Sequence, residues 1–130
     1  MPLTEACQPD GWLVTRLRAL FPNALGIYAF GSQIQGTARP DSDLDLAILV
    51  AGYADPLTLW DAAQVLSNQL DLPVDLLDLR AASTVMQHQI LTTGERLWAK
   101  DVHAGLFEAA MLTEKLHLDE SRQALMQDIQ

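Results

Sequence analysis

The feature that most constrains the fold is a Gly-Ser pair between two apolar runs, standing ten residues before an Asp-Leu-Asp. Gly31-Ser32 follows the run 24–30, and Asp43 and Asp45 open the run 43–50. Residues at i and i+2 of a strand point to the same face, so both carboxylates can reach one metal ion. The alternate positions then point into a core: Leu44, Leu46, Ile48 and Val50. The pattern predicts two neighbouring strands with a polar site at one end.

Phosphoryl transfer uses this pairing of a glycine turn with carboxylates. Glycine lets the backbone approach a phosphate, and the amides of the turn and the Ser32 hydroxyl can donate to its oxygens. Asp43 and Asp45 are then candidate ligands for Mg²⁺. A third carboxylate would complete the metal site or accept a proton. Asp75 and Asp78 lie on opposite faces of a predicted strand, and we expect Asp75 to join the site and Asp78 to reach solvent.

Apolar periodicity and turn residues predict a small α/β (α+β) fold with helices between and after the strands. Helices are predicted at 11–21, 32–36 (one turn), 56–70 and from Ser83 to Gly94, and strands at 24–30, 43–50, 72–79 and 96–99. We expect Asp55 and Ser83 to cap the helices that follow them. The helix after Ser83 is expected to bury Val85, Met86, Ile90 and Leu91.

Length and charge limit the number of domains and the classes of function that the chain can have. The 130 residues predict one domain, 1–130, with a core at about 24–100 and a helical C-terminal region at about 101–130. A net charge of -9 argues against sequence-independent nucleic-acid binding, which requires a basic surface. No apolar run has the length of about 18 residues that a membrane span requires. The single cysteine, Cys7, allows no intrachain disulfide. We therefore expect a cytoplasmic protein.

These motifs resemble the minimal nucleotidyltransferases of the DNA polymerase β superfamily. The similarity covers about residues 24–80, and Gly36 to Asp45 (Gly-Thr-Ala-Arg-Pro-Asp-Ser-Asp-Leu-Asp) looks most like the antitoxins that pair with HEPN-domain RNase toxins. The resemblance implies the polymerase β-like nucleotidyltransferase fold, with a small mixed sheet and flanking helices. It also implies an Mg²⁺-dependent enzyme that transfers AMP from ATP to a tyrosine of its toxin, with which it would form a hetero-oligomer.

The resemblance also assigns roles to individual residues. It implies that Asp43, Asp45 and Asp75 are the catalytic, metal-binding carboxylates and that Gly31 and Ser32 contact the nucleotide. Gln35 departs from relatives that place an arginine just before the glycine, and Arg39 is the candidate to supply that charge instead. Asp75 is either a metal ligand or the base that accepts the hydroxyl proton. Two alternatives remain open: AMP transfer to a small-molecule hydroxyl, and an antitoxin that neutralises its toxin by binding alone.

Overall fold

The computed structural model describes residues 6–36 and 42–129. The predicted loop with the candidate phosphate contact Arg39 lies mostly outside these residues. Within the described ranges the elements are, in chain order, α1 (Trp12–Leu20), β1 (Ala24–Phe30), α2 (Ser32–Gln35), β2 (Leu44–Val50), α3 (Pro56–Leu70), β3 (Val74–Asp78), α4 (Thr84–Thr93), β4 (Glu95–Ala99) and α5 (Val102–Ile129). None of the helices in this part of the chain is both long enough and apolar enough to cross a membrane.

The strands form a mixed sheet in the order β3-β2-β1-β4. β1 is antiparallel to both β2 and β4, whereas β2 and β3 are parallel and are joined by α3. The C-terminal end of β1 therefore lies beside the N-terminal ends of β2 and β3. This topology brings the Gly-Ser turn and the predicted carboxylates to the same end of the sheet.

Both faces of the sheet are covered. One cluster of buried residues joins α1 and α3 to the β2 residues Leu44, Leu46, Ile48 and Val50, as the alternation predicted. A second cluster takes in Ala47 and Leu49 on the other face of β2, together with Ile90 of α4 and Ala104 of α5. Each large aliphatic side chain buried in this way contributes about 1.5–3 kcal/mol. The face that carries Asp45 is thus apolar beyond its first residue, and the polar site is confined to the strand end.

Two predicted helix caps are confirmed. The Asp55 carboxylate accepts a hydrogen bond from the Thr58 amide at 3.0 Å, and Pro56 occupies the first helical position of α3. Ser83 Oγ accepts from the Met86 amide at 3.2 Å at the start of α4. Both bonds satisfy amides that have no acceptor within the helix.

The predicted buried face of α4 is partly wrong. Val85 is 68% exposed and Met86 36%, whereas Gln87 is only 7% exposed. Gln87 Nε2 donates to the carbonyl of Leu79 at 3.0 Å and to that of Arg80 at 3.3 Å. A glutamine can be buried here because the carbonyls that follow β3 satisfy its amide group. The helix is therefore rotated relative to the orientation that hydropathy predicts.

The expectation that Asp78 reaches solvent is also wrong. Asp78 is 7% exposed, and its two carboxylate oxygens accept from the amides of Ala54 at 2.8 Å and Arg80 at 3.0 Å. The carboxylate ties the segment before α3 to the turn after β3. Asp78 is therefore a structural residue at the end of the sheet opposite the candidate site.

Candidate active site

Gly31 connects β1 to α2 in a conformation that other residues rarely adopt. Its φ is +81°, and a β-carbon at this position would overlap Oδ2 of Asp45. Glycine is therefore required both by the backbone and by the close approach of a carboxylate. The turn places the start of α2 directly against the first site residue of β2.

The short helix α2 then continues from this turn. The amides of Ile34 and Gln35 both donate to the Gly31 carbonyl at 3.1 Å, and Ser32 is the half-buried first helical residue. Amides at the start of a helix have no intrahelical acceptor, so they are available to an anion. This geometry fits the predicted phosphate turn.

Gln33 is a residue of this site that the sequence did not reveal. Its Nε2 donates to the carbonyl of Ser42 at 3.1 Å, one position before Asp43. The bond ties α2 to the segment that enters β2, so the turn and the aspartates are held together. Glutamine carries no chemical signature in such a motif, and only the position of Gln33 beside Ser32 could have drawn attention to it.

The register of the sheet aligns the carboxylates. Asp45 pairs with Phe30 of β1 on one side and with Asp75 of β3 on the other. Asp43 lies two residues before Asp45, just outside β2. Asp43 and Asp75 are exposed and Asp45 is half-buried. The structure thus brings all three predicted aspartates to one end of the sheet, with Asp45 in the middle.

The proximity of the other two carboxylates affects the ionisation of Asp45. Burial raises the pKa of its carboxyl group, and the negative charges of Asp75 and then Asp43 raise that pKa further. Like charges at close range oppose ionisation. A cation placed among the three groups would remove this repulsion.

The donor set fits Mg²⁺ better than a metal held by protein ligands alone. In the ranges 6–36 and 42–129, no three His, Cys, Asp or Glu side chains, the three aspartates included, lie close enough together to hold a metal ion by themselves. Mg²⁺ is usually held by one or two carboxylates together with waters and substrate phosphates. Oxygen donors on adjacent strands, open to solvent and next to the Gly31-Ser32 turn, match that mode of binding.

A neighbouring cavity lies on the opposite face of the sheet. It has a volume of about 450 Å³ and is lined in part by Cys7, Ile34 and Leu97. These three residues pack with the cluster under α1 and α3, whereas Asp45 alternates with residues of the other cluster. The cavity is therefore separate from the carboxylates.

Sequence comparison identifies the family. The family described as polymerase beta, nucleotidyltransferase matches residues 17–103, which is more than half of the chain. The chain belongs to this nucleotidyltransferase family. Its mixed sheet with flanking helices has the polymerase β-like nucleotidyltransferase fold, so the predicted fold class is confirmed.

This nucleotidyltransferase also has well-matched relatives. It is 40% identical over 117 residues to protein adenylyltransferase MntA of Shewanella oneidensis, a match that covers 90% of this chain and 84% of MntA. The crystal structure of a toxin-antitoxin with AMP-PNP aligns with a TM-score of 0.79 at 40% identity, covering 90% of this chain and 94% of the other. The structure of the tri-AMPylated Shewanella oneidensis HEPN toxin in complex with MNT antitoxin gives 0.73 at 36% identity, with coverages of 91% and 92%.

Proposed function

We propose that this nucleotidyltransferase is an antitoxin that transfers AMP from ATP to a tyrosine of a HEPN-type toxin and so neutralises it. The observation that carries the proposal is the alignment of Asp45 with Asp75 beside the Gly31 turn. The similarity to MntA, and to solved complexes that contain AMP-PNP or an AMPylated HEPN toxin, supports the choice of nucleotide and acceptor. The proposal includes a cytoplasmic hetero-oligomer with the toxin.

AMP transfer replaces one bond at the α-phosphorus with another. The tyrosine oxygen attacks the α-phosphorus of ATP and forms a new O–P bond. The bond from that phosphorus to the oxygen bridging to the β-phosphate breaks, and pyrophosphate leaves with the electron pair. The phenolic proton passes to a carboxylate or to water. Mg²⁺, when bound, would neutralise charge that develops on the phosphate oxygens.

The residues of this chain have distinct parts in that reaction. Asp43 and Asp45 would hold Mg²⁺, and the Gly31-Ser32 turn would orient the phosphates through its amides and hydroxyl. Asp75 is an exposed carboxylate adjacent to Asp45, so it can either complete the metal site or accept the phenolic proton. Arg39 remains a candidate phosphate contact.

Two alternatives share the same residues. A small-molecule acceptor would keep the chemistry and change only the hydroxyl that attacks. A binding-only antitoxin would neutralise the toxin without chemistry, and the carboxylates would have no catalytic part. The crowded, electrostatically unfavourable Asp45 favours catalysis, because a surface that only occludes a partner has no need of it.

Incubation with the toxin, followed by its separation, distinguishes these functions. We expect the purified toxin to gain the mass of one or more AMP groups and to stay inactive after this chain is removed. The gain should require ATP and Mg²⁺, and it should be lost with the double variant Asp43→Asn/Asp45→Asn. The exposed Asp10 is the control, since Asp10→Asn removes a charge outside the site. An unmodified toxin that recovers full activity on separation would leave the binding-only function.

A further inference from the structure

A groove leads along the edge of the sheet to Asp75. It has a volume of about 270 Å³ and lies between α3 and β3, with Trp60 and Gln64 on the helix side and Val74, Asp75 and Leu76 on the strand side. Among the described residues β3 is an edge strand, so one side of its backbone has no neighbouring strand in the sheet. The groove lies on the face that packs against α3, because Val74 and Leu76 belong to the cluster under α1 and α3, whereas Asp75 pairs with Asp45 on the other face. The open edge of β3 therefore connects the groove to the face that carries the candidate carboxylates.

Two exposed apolar side chains of α3 stand beside the groove. Trp60 is 64% exposed and Leu57, one turn earlier on α3, is 68% exposed. Residues three apart on a helix are neighbours, so the two side chains form one apolar strip beside the groove. Exposed tryptophans next to an open strand edge are well suited to a polypeptide, which can offer both side chains and backbone groups.

The stretch of sequence that forms both walls of the groove has charged residues of one sign only. Between Pro40 and Leu79 the chain has eight aspartates and no Lys, Arg or His. Of these, Asp61 is exposed on α3 immediately after Trp60, and Asp71 is exposed between α3 and β3. No basic side chain of this segment can neutralise them. An occupant with positive charge is therefore favoured over a neutral or acidic one.

We infer that this groove binds the acceptor segment of the protein substrate, a stretch with basic residues around its hydroxyl, with Trp60 as its apolar anchor. The inference rests on the proposed transfer of AMP to a protein, and it adds the path by which the acceptor reaches Asp75. Successive side chains of an extended segment laid along β3 would point to opposite faces of the sheet, so one could enter the groove beside Trp60 and Asp61 while its neighbour brought its hydroxyl to the face that carries Asp75. Trp60 and Asp61 are specificity residues in this scheme and take no part in the chemistry.

Steady-state kinetics with the toxin as acceptor test the inference. We expect Trp60→Ala to raise the KM for toxin about 10-fold or more, as loss of a buried aromatic anchor does at other interfaces. Its affinity for ATP with Mg²⁺ should stay that of the wild type. Leu106→Ala is the matched truncation, because Leu106 is 60% exposed on α5. Trp60→Phe should recover part of the loss, and a melting curve checks that each variant is folded.

Charge is tested with a second pair of variants and with two peptides. Asp61→Lys should lower kcat/KM for the toxin several-fold and weaken its dependence on salt, whereas Asp10→Lys should do neither. An eight-residue peptide with lysines around a tyrosine should bind the wild type about 10-fold more tightly than one with glutamates; Asp61→Lys should reduce this difference, and Trp60→Ala should weaken the binding of both peptides.

The two proposals fail in different ways. A wild-type protein that never modifies the toxin would reject the transferase function, and the peptide binding would still report on the groove. If Trp60→Ala and Asp61→Lys both transfer AMP as the wild type does, only the role of the groove is rejected. A loss of ATP affinity in Trp60→Ala would also overturn it, since the groove would then serve the nucleotide.

Discussion

Gly31 and Asp45 pack so closely that a side chain at position 31 would occupy the space of the Asp45 carboxylate. The glycine is thus as much a part of the candidate site as the aspartate, although it offers no ligand. The turn proposed to bind phosphate and the strand proposed to hold Mg²⁺ meet at this one contact. Changes at either residue should therefore affect both.

Gly31→Ala is expected to reduce AMP transfer by about 10²-fold. The new methyl group would push the Asp45 carboxylate aside, and a misplacement of about 1 Å in an active site has a cost of that order. It should also cost about 1–2 kcal/mol of stability, as a non-glycine residue does at positive φ. Gly52→Ala is the matched control: its φ is +82°, but nothing lies within 4 Å of the added β-carbon. Both variants should lose stability in chemical denaturation, Gly31→Ala by more because of its overlap with Asp45, and only Gly31→Ala should lose activity. Equal activities would contradict the importance of this contact.

Asp45→Asn should lower transfer by about 10²-fold or more and should stabilise the metal-free protein at neutral pH. The pKa of Asp45 is raised in the folded chain, so the folded protein keeps a proton that the unfolded chain releases near pH 3.8. The contribution of the protonated Asp45 carboxyl to stability is therefore fully present below pH 3.8 and is lost as the pH rises through the folded-state pKa. We expect the melting temperature of the variant to exceed that of the wild type by a margin that grows from pH 3.5 to 7. A margin independent of pH would show that ionisation of Asp45 costs nothing.

Mg²⁺ together with a non-hydrolysable ATP analogue should stabilise the wild type. A ligand at 100 times its Kd adds about 2.7 kcal/mol when it binds only the folded state. The double variant Asp43→Asn/Asp45→Asn should show little of this gain, and chelation should abolish transfer until Mg²⁺ is restored. Calorimetry or melting curves with and without metal provide the measurement. An equal gain in both proteins would place the metal elsewhere.

Asp75→Asn and Asp78→Asn should separate catalysis from stability. Asp75 is exposed at the candidate site, so Asp75→Asn should reduce transfer strongly, and it should not lower the free energy of unfolding, since it removes a negative charge next to Asp45. Asp78 is buried and accepts from two amides, so Asp78→Asn should lose one of these bonds and cost about 1–3 kcal/mol. Denaturation and activity assays on both variants check the contrast. If both variants lost activity and stability to a similar extent, the assignment of Asp75 to the candidate site and of Asp78 to the structure would be wrong.

Ser32→Ala should weaken the use of ATP without unfolding the protein. A charge-assisted hydrogen bond from a hydroxyl to phosphate contributes about 1.5–3 kcal/mol, which corresponds to about a 10- to 100-fold change in affinity. Titration with ATP and Mg²⁺ measures it directly. Unchanged affinity and turnover would mean that the turn binds phosphate through its amides alone.

Much of the fold was predictable because local signals agreed with tertiary packing. The bounds of β1 follow from Pro22-Asn23 before it and Gly31 after it, and those of α3 from its cap at Asp55. The site followed from strand alternation, which set Asp43 and Asp45 on one face. Strand alternation and the resemblance both favoured Asp75 as the third carboxylate, whereas the parallel register that places it beside Asp45 comes from the structure.

The errors share a physical cause. Asp78 and Gln87 are polar residues that hydropathy assigns to solvent, yet both are buried because they satisfy backbone groups that other elements leave unpaired. Those backbone groups become partners only once the turn after β3 has formed. The same reasoning applies to Gln33, whose acceptor, the Ser42 carbonyl, lies in a different segment of the chain. Single-sequence patterns do not record such hydrogen bonds between separate elements.

The parallel pairing of β2 with β3 also determines when, during folding, the candidate site can form. Asp45 and Asp75 are 30 residues apart in the chain, and α3 lies between their strands. Contacts of such separation form late, because the entropy of closing the loop must be met before they stabilise anything. A chain emerging from the ribosome has its Gly-Ser turn and its first two aspartates well before it has the third. The complete set of carboxylates is therefore a property of the finished sheet.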